Sequence, residues 1–466
     1  MGTAAVKTQT EHRASVATPP QASAPAIPQW RLWGIRLPFS LVDPGTTVSA
    51  GLLVNLLLAR WLPAQHYGAF ALVFAVFLFL AGIHNALVLE PMSVLGPANF
   101  QRNLADYFEA QIWVHLAFTT VLAAPLLFAA AFLTSFGYGG PLPGALLGGG
   151  LALPFFLLLW LARRMSHILQ RPAMAMAGSM SNVVLLLAGL FALQARHKLA
   201  PLPVFLLLGF ASLCAALLIF HKLQIGLDET RPCSVSWQSA AAENWRYGRW
   251  QLGGVVCFAS LGQTAMLLAP VFLGLAAAGE FRALQIPALL MVQGCAAAAM
   301  LLLPSFASEY AEANTNRSRQ LASRVSLTLA GTSLLFAVLL YFTAAPVERL
   351  LFGGKFAADA WLIPLFMLIP LSAGLASGYS MALRAMKRPH FELLANRIAA
   401  ALSVLSAFLF IPLFGLAGVA ISLASGFVVY AAVVYLCFRE AAAAHERKTL
   451  PTERPEEVTS FDHVNA

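Results

Sequence analysis

Charge is the scarcest property of this sequence. Asp and Glu number 20 among 466 residues, and all charged residues together make up 11%, against about 25% in an ordinary soluble domain. So few charges cannot clothe a water-facing surface for a chain this long, which excludes a soluble globular fold. Cysteine is scarce as well. Cys214, Cys257, Cys295 and Cys437 fall inside apolar runs and Cys233 in a polar loop, with no spacing that suggests a disulfide or a metal site. No nucleophile–base constellation is visible, and the loops of one face are short; an enzyme is therefore not expected, nor is any cofactor. The N-terminus lacks the short basic-then-apolar plan of a cleaved signal.

What is present is hydrophobicity: 59% of residues, with a mean hydropathy of +0.75. Apolar runs of about 20 residues recur throughout, each long enough to cross a hydrocarbon core of about 30 Å as a helix. Backbone groups in lipid must be satisfied within the segment, so helices are expected. Twelve spans are predicted, at 40–61, 67–89, 110–134, 141–163, 172–194, 202–221, 249–275, 280–304, 323–345, 360–382, 394–412 and 414–437. Of the 29 Lys and Arg, only Arg60, Arg196, Lys198, Arg282, Arg349 and Lys355 fall on one face. The remaining 23 share a face with both tails, which the positive-inside rule assigns to the cytoplasm. This bias accounts for the formal charge of +9 and requires no nucleic acid. The tails, 1–39 and 438–466, and a cytoplasmic linker at 222–248 are polar, and the tails are expected to be disordered.

The chain carries an internal echo. "LARWLPAQHY" leads into "GAFALVFAVF" as "FLGLAAAGE" leads into "FRALQIPALL", pairing Tyr67 with Phe281 at an offset of 214. "LARRMSHILQRPAMAMAGSMSN" answers "ALRAMKRPHFELLAN", pairing Arg171–Pro172 with Arg388–Pro389 at an offset of 217. The expected architecture is an all-α membrane protein of about 12 transmembrane helices. They would form two parallel six-helix bundles around a central cleft, 40–221 and 249–437, an arrangement suited to rocking transport. Prolines inside spans (Pro125, Pro154, Pro270, Pro287, Pro364 and Pro370) can bend their helices.

Polar groups within spans are costly and mark candidate sites. No Asp or Glu falls near the middle of a predicted span; Asp43, Glu90, Glu109, Glu280 and Asp359 lie at ends. A cation-coupled exporter needs a deep carboxylate, so this pattern disfavours one. Arg249, Gly253, Ser260, Gln263 and Thr264 share one helical face, as do Arg282, Gln285 and Gln293 on the next span. The first span adds Thr47, Gly51 and Asn55. Amides and hydroxyls suit sugars, and guanidinium suits diphosphate; interhelical hydrogen bonding is the competing reading. Asp43–Pro44–Gly45 reads as a helix start. His84 and Asn85, followed by Glu90–Pro91, read as a cytoplasmic gate, with Pro91 ending the span; an interfacial helix end with a snorkelled Glu90 is the alternative.

"LLARWLPAQHYGAFAL" and "HNALVLEPMSVLGP" together resemble the polysaccharide-transporter branch of the multidrug/oligosaccharidyl-lipid/polysaccharide flippase superfamily, over about residues 40–440. The resemblance implies a multi-pass protein of the bacterial inner membrane. It implies translocation of undecaprenyl-diphosphate-linked sugar repeat units to the outer leaflet by alternating access. The expected partners are the lipid-linked glycan, membrane lipids and, as a further candidate, a downstream polysaccharide polymerase. The alternative on the same fold is a cation-coupled small-molecule or multidrug antiporter, for which Asp43 or Glu90 would have to serve as the coupling acid.

Overall fold

The computed structural model describes residues 29–224, 235–311 and 315–449. All regular structure among them is helical: α1 (Gln29–Trp61), α2 (Ala64–His84), α3 (Glu90–Asn99), α4 (Leu104–Ser135), α5 (Leu142–Ile168), α6 (Pro172–Ala195), α7 (Pro201–Leu223), α8 (Trp237–Leu273), α9 (Leu275–Leu284), α10 (Ile286–Ala311), α11 (Thr315–Phe352), α12 (Leu362–Phe366), α13 (Leu368–Ala385) and α14 (Pro389–Thr449). Ten helices among the described residues are long and apolar enough to cross a membrane. The last of them is two helices meeting at Gly415, whose φ of 58° and ψ of −131° suit only glycine. Dividing it there and adding the 33-residue α1 reaches the twelve segments expected from hydropathy. This is a multi-pass helical membrane protein. Large apolar side chains on its outside, such as Phe128 and Phe342 at 73% and 77% exposure, have lipid as their natural solvent.

Close packing relies on small residues. α5 and α7 pack extensively, and a Cβ on Gly209 would touch the Ala152 backbone, the kind of approach that dispersion between membrane helices requires. α4, α6 and α2 complete the surroundings of this pair, while α8, α11, α13 and α14 pack among themselves. The echo seen in the sequence has a structural counterpart. Gln170 and Lys387 each adopt φ of 57°, and Arg171 N and Arg388 N close the same turn onto Ser166 O and Leu383 O at 2.9 and 3.0 Å. The proline that follows opens the next helix both times, α6 and α14.

Several sequence expectations need correction. Glu90–Pro91 does not end its helix. Residues Asn85–Leu89 form a π-turn between α2 and α3, and Glu90 N reaches Asn85 O across it. Such a turn shifts the backbone register, so the missing N–H of Pro91 falls in the first turn of α3 and the helix runs on to Asn99. Asp43–Pro44–Gly45 lies inside α1 and does not start it. The expected linker is largely helix from Trp237, because Ser236 caps α8 by accepting from Ser239 N at 3.2 Å. Residues 29–39 and 438–449, expected in disordered tails, belong to α1 and α14; the rest of both tails lies outside the described residues. The expected tenth span is broken at Met367 into α12 and α13.

Candidate functional site

The molecule is sealed on the face that carries the α1–α2 turn. There α2 lies directly on α9: a Cβ on Gly68 would run into the carbonyl of Leu275, and one on Gly279 into the carbonyl of Ala64. Only hydrogen at both positions permits backbone to lie on backbone. Two cations strap the same turn to the end of α11 and the segment after it. Lys355 Nζ donates to Ala59 O at 3.0 Å and also to Leu62 O, and Arg60 Nη1 donates to Leu350 O at 2.9 Å. Burial pulls the Lys355 pKa down. Inside the seal Tyr67 donates to Asn55 Oδ1 at 3.5 Å, and Arg282 Nη1 donates to Gln285 Oε1 at 3.1 Å. Burial lowers the pKa of Arg282, and the nearby Tyr67 hydroxyl partly offsets this.

Beneath the seal, α2 and α8 part to form a cleft of about 540 Å³, with Trp160 of α5 at its side. Its apolar walls include Leu78, Phe79, Val255 and Phe258, and its polar groups are Asn85 and Gln263. Gln263 is ten residues from the end of α8, about 15 Å along the helix, and so near the middle of the membrane. Its Oε1 is buried with no hydrogen-bond partner, a state that costs about 1–3 kcal/mol unless an incoming donor satisfies it. Asn85 sits at the far end of the cleft, where its Oδ1 accepts from Arg164 Nη2 at 3.3 Å. The next-door Arg163 opens into a second, smaller cavity of about 80 Å³ among α1, α2, α5, α6 and α7, with Thr47, Asn55, Ser179 and Asn182.

Beside the cleft, His84 and His115 form a fully buried pair. His84 Nε2 and His115 Nδ1 are 2.9 Å apart, and His115 Nε2 lies 3.2 Å from Pro154 O. A carbonyl only accepts, so in the neutral pair His115 carries its proton on Nε2 and His84 donates from Nε2. That leaves His84 Nδ1 as the bare acceptor, and it is buried without a partner. Close by, Gln111 and Asn244 exchange amide hydrogen bonds of 2.9 and 3.2 Å, tying α4 to the first part of α8.

The residues expected from the sequence divide into four places. Gln263 and Asn85 meet in the cleft. Arg282 and Gln285 meet in the seal, and Asn55 joins them through Tyr67 while also lining the smaller cavity. His84 is buried against His115, and Glu90 is half-buried in the first turn of α3. The others stand apart: Arg249 is exposed over the Trp250 ring, 5.1 Å from its centroid, and Gln293 is exposed. Ser260 is half-buried on α8, and its carbonyl accepts from Thr264 Oγ1 at 2.6 Å. The stripe on α8 is therefore split, because a helical wheel gives a shared face without saying what that face looks at. Sequence reasoning missed Arg163, Arg164, His115 and Asn182. Arg163 and Arg164 end an apolar run and read as loop charge, and the partners of His115 and Asn182 lie on other helices.

No protein-family model matches this chain, and no curated protein matches it. Its fold has known relatives. An inward-facing structure of a multidrug resistance MATE family transporter of the MOP superfamily is similar over 87% of this chain and 96% of its own, with a TM-score of 0.74 and 14% identity. The lipid II flippase MurJ, in an inward closed conformation, is similar over 88% of this chain and 91% of its own, with a TM-score of 0.67 and 13% identity. An outward-facing structure of a MATE family transporter covers 88% of this chain and 96% of its own at a TM-score of 0.58 and 14% identity. The fold is the one shared by these MATE family and MurJ structures.

Proposed function

We propose that this chain is a flippase that carries undecaprenyl-diphosphate-linked oligosaccharide repeat units from the cytoplasmic to the outer leaflet of a bacterial inner membrane. The units would feed surface or exopolysaccharide synthesis. The observation that carries this reading is the chemistry of the cleft. Among the described residues its polar lining is amide, with guanidinium at its far end, and includes no carboxylate. The bare oxygen of Gln263 offers an acceptor to sugar hydroxyls. Arg164, now held by a single bond to Asn85, is placed to exchange that amide for a phosphate oxygen, a stronger charge-assisted partner. Arg163, one residue away, lines the smaller cavity together with Asn55 and Asn182. The cargo's hydrocarbon tail needs no site of its own, because lipid already surrounds the helices.

Conformation and charge agree on direction. The sealed face is the one holding only Arg60, Arg196, Lys198, Arg282, Arg349 and Lys355, which the charge bias makes the outer face. Both termini then lie in the cytoplasm, and the cleft is poised to receive cargo from within. The higher similarity to an inward-facing relative than to an outward-facing one, 0.74 against 0.58, supports the same state. Alternating access follows if the α2–α9 contact parts.

A second reading is favoured by one observation, the fold shared with multidrug resistance MATE family transporters. On that reading the chain exports small molecules in exchange for a cation, with Glu90, half-buried in the first turn of α3, as the coupling acid; the Asp43 side chain lies outside the described residues. Deleting the gene in its native host separates the two. The flippase reading expects lost surface polymer with intact lipid-linked repeat units stranded on the inner leaflet. Unchanged polymer with raised sensitivity to cationic drugs would favour the antiporter.

A further inference from the structure

α5 brings one more group to the cleft. Trp160, half-buried, stands in the wall that the cleft shares with the smaller cavity. It takes no part in the contacts to phosphate or hydroxyl groups. Two other aromatic residues line the cleft, Phe79 and Phe258, but they sit on α2 and α8. Trp160 shares its helix with Arg164.

Distances along the helices put the polar groups of the cleft in order. At 1.5 Å per residue from the helix ends at the sealed face, Gln263 lies about 15 Å deep, Trp160 about 27 Å, Asn85 about 32 Å and Arg164 about 33 Å. The similar depths of Asn85 and Arg164 agree with the bond of 3.3 Å between them. Trp160 and Arg164 are four residues apart on α5, so they share a helix face and are separated by about 6 Å along the axis. That rise matches the step from a phosphate to the ring of the sugar it carries. A pyranose keeps its hydroxyls round its edge and gathers C–H groups on a face that is apolar and slightly positive. An indole face is apolar and negative from its π quadrupole, so the two stack, and the indole N–H is a donor for a ring oxygen.

We propose that Trp160 is a sugar-binding residue, stacking on the pyranose joined directly to the diphosphate while Arg164 holds the phosphate. The proposal rests on the flippase reading and names the part of the cargo that this subsite selects, a hexopyranose next to the diphosphate. The remaining sugars then extend from Trp160 towards Gln263, about 12 Å nearer the seal, where the bare Oε1 accepts from a hydroxyl further along the unit. Trp160 also packs on Phe156, with ring centroids 5.7 Å apart, so a purely packing role is the alternative that the test must separate.

The test is isothermal titration calorimetry of the full chain in detergent with three probes: geranyl diphosphate, the same diphosphate carrying glycerol, and the same diphosphate carrying glucose. Glycerol brings hydroxyls without a ring, so the preference for glucose over glycerol isolates stacking. Wild-type protein should bind the glucose probe about tenfold more tightly than the glycerol probe, the scale of one aromatic contact. Trp160→Leu should reduce that preference to about twofold or less and leave affinity for the glycerol probe unchanged. Arg164→Ala should weaken all three probes alike. Tryptophan emission keeps the proposal testable if the leucine variant does not fold: the glucose probe should alter it in wild type and not in Trp160→Phe. A glucose preference that survives in Trp160→Leu, or an emission change that survives in Trp160→Phe, would overturn the proposal. Equal weakening of the glucose and glycerol probes by Trp160→Leu would reduce Trp160 to packing and overturn it too. Tight binding of all three probes without preference would end the proposal and leave the flippase reading standing, whereas binding of none by wild-type protein would bring down both.

Discussion

Replacing Gly68 by alanine should open the α2–α9 seal. In α2 alone the change is favourable, because alanine is the better helix former by up to about 1 kcal/mol. The penalty arises only where α2 meets α9. The new methyl would overlap the Leu275 carbonyl and crowd the Gly279 amide, and neither is a flexible side chain that can turn aside. The helices must part, at a cost typical of overpacking, about 1–3 kcal/mol. That cost belongs to the sealed state alone, so the sealed-to-open ratio drops by about 5- to 150-fold. A ratio of about 100 would fall to between about 20 and about 1. The readout is a thiol at the cleft: Gln263→Cys in a background without native cysteines, labelled in intact cells by a membrane-impermeant maleimide. Sealed protein shields this position, so labelling should accelerate by the same factor as the open population grows. Gly279→Ala should act in the same direction, since its Cβ would meet the Ala64 carbonyl. Unchanged labelling in a Gly68→Ala protein that elutes as a single folded species would refute the account of the seal.

Other consequences are direct. Arg164→Ala, which removes the guanidinium at the far end of the cleft, should reduce transport by about tenfold or more at normal protein level, whereas Arg249→Ala, exposed over Trp250, should fall short of that loss; equal effects in a repeat-unit translocation assay would contradict the assignment. His115→Phe leaves the Pro154 carbonyl and His84 Nε2 without their partner, so the purified protein should be less stable by about 1–3 kcal/mol, measured as a lowered Tm. Gly415→Ala meets open space, yet its backbone lies in a region closed to L-residues; a loss of about 1–3 kcal/mol is expected from strain alone, with a lower melting temperature as the readout.

Much of the fold was legible because the signal is simple. Long apolar runs must be helices in lipid, and the repeated Arg–Pro junction reproduced itself as the same turn at Gln170 and Lys387. What failed was local. Pro91 reads as a stop until the π-turn at Asn85–Leu89 absorbs it, and nothing in one sequence marks a turn of five residues per hydrogen bond. Trp237 to Gly248 reads as a polar linker because its helix is held by α3, α4 and the π-turn, contacts between distant segments. Site residues were legible where one helix face decides, as for Gln263, and illegible where two helices must meet. His84 stood out in an apolar run, but its role depends on His115, 31 residues away. Arg282 looked like a cleft lining and turned out to stand in the seal, because α9 is a separate short helix and not the start of the next span.

The measurement that bears most directly on the central claim is translocation by the purified protein. Proteoliposomes would carry a fluorescent undecaprenyl-diphosphate-linked oligosaccharide in both leaflets, with an impermeant reductant added outside to quench what is exposed. The account predicts that quenching proceeds beyond the outer-leaflet half, and that Arg164→Ala slows this second phase while leaving the first intact. Quenching that stops at half, as in liposomes without protein, from preparations that bind and export a cationic dye, would contradict the flippase reading and favour the antiporter.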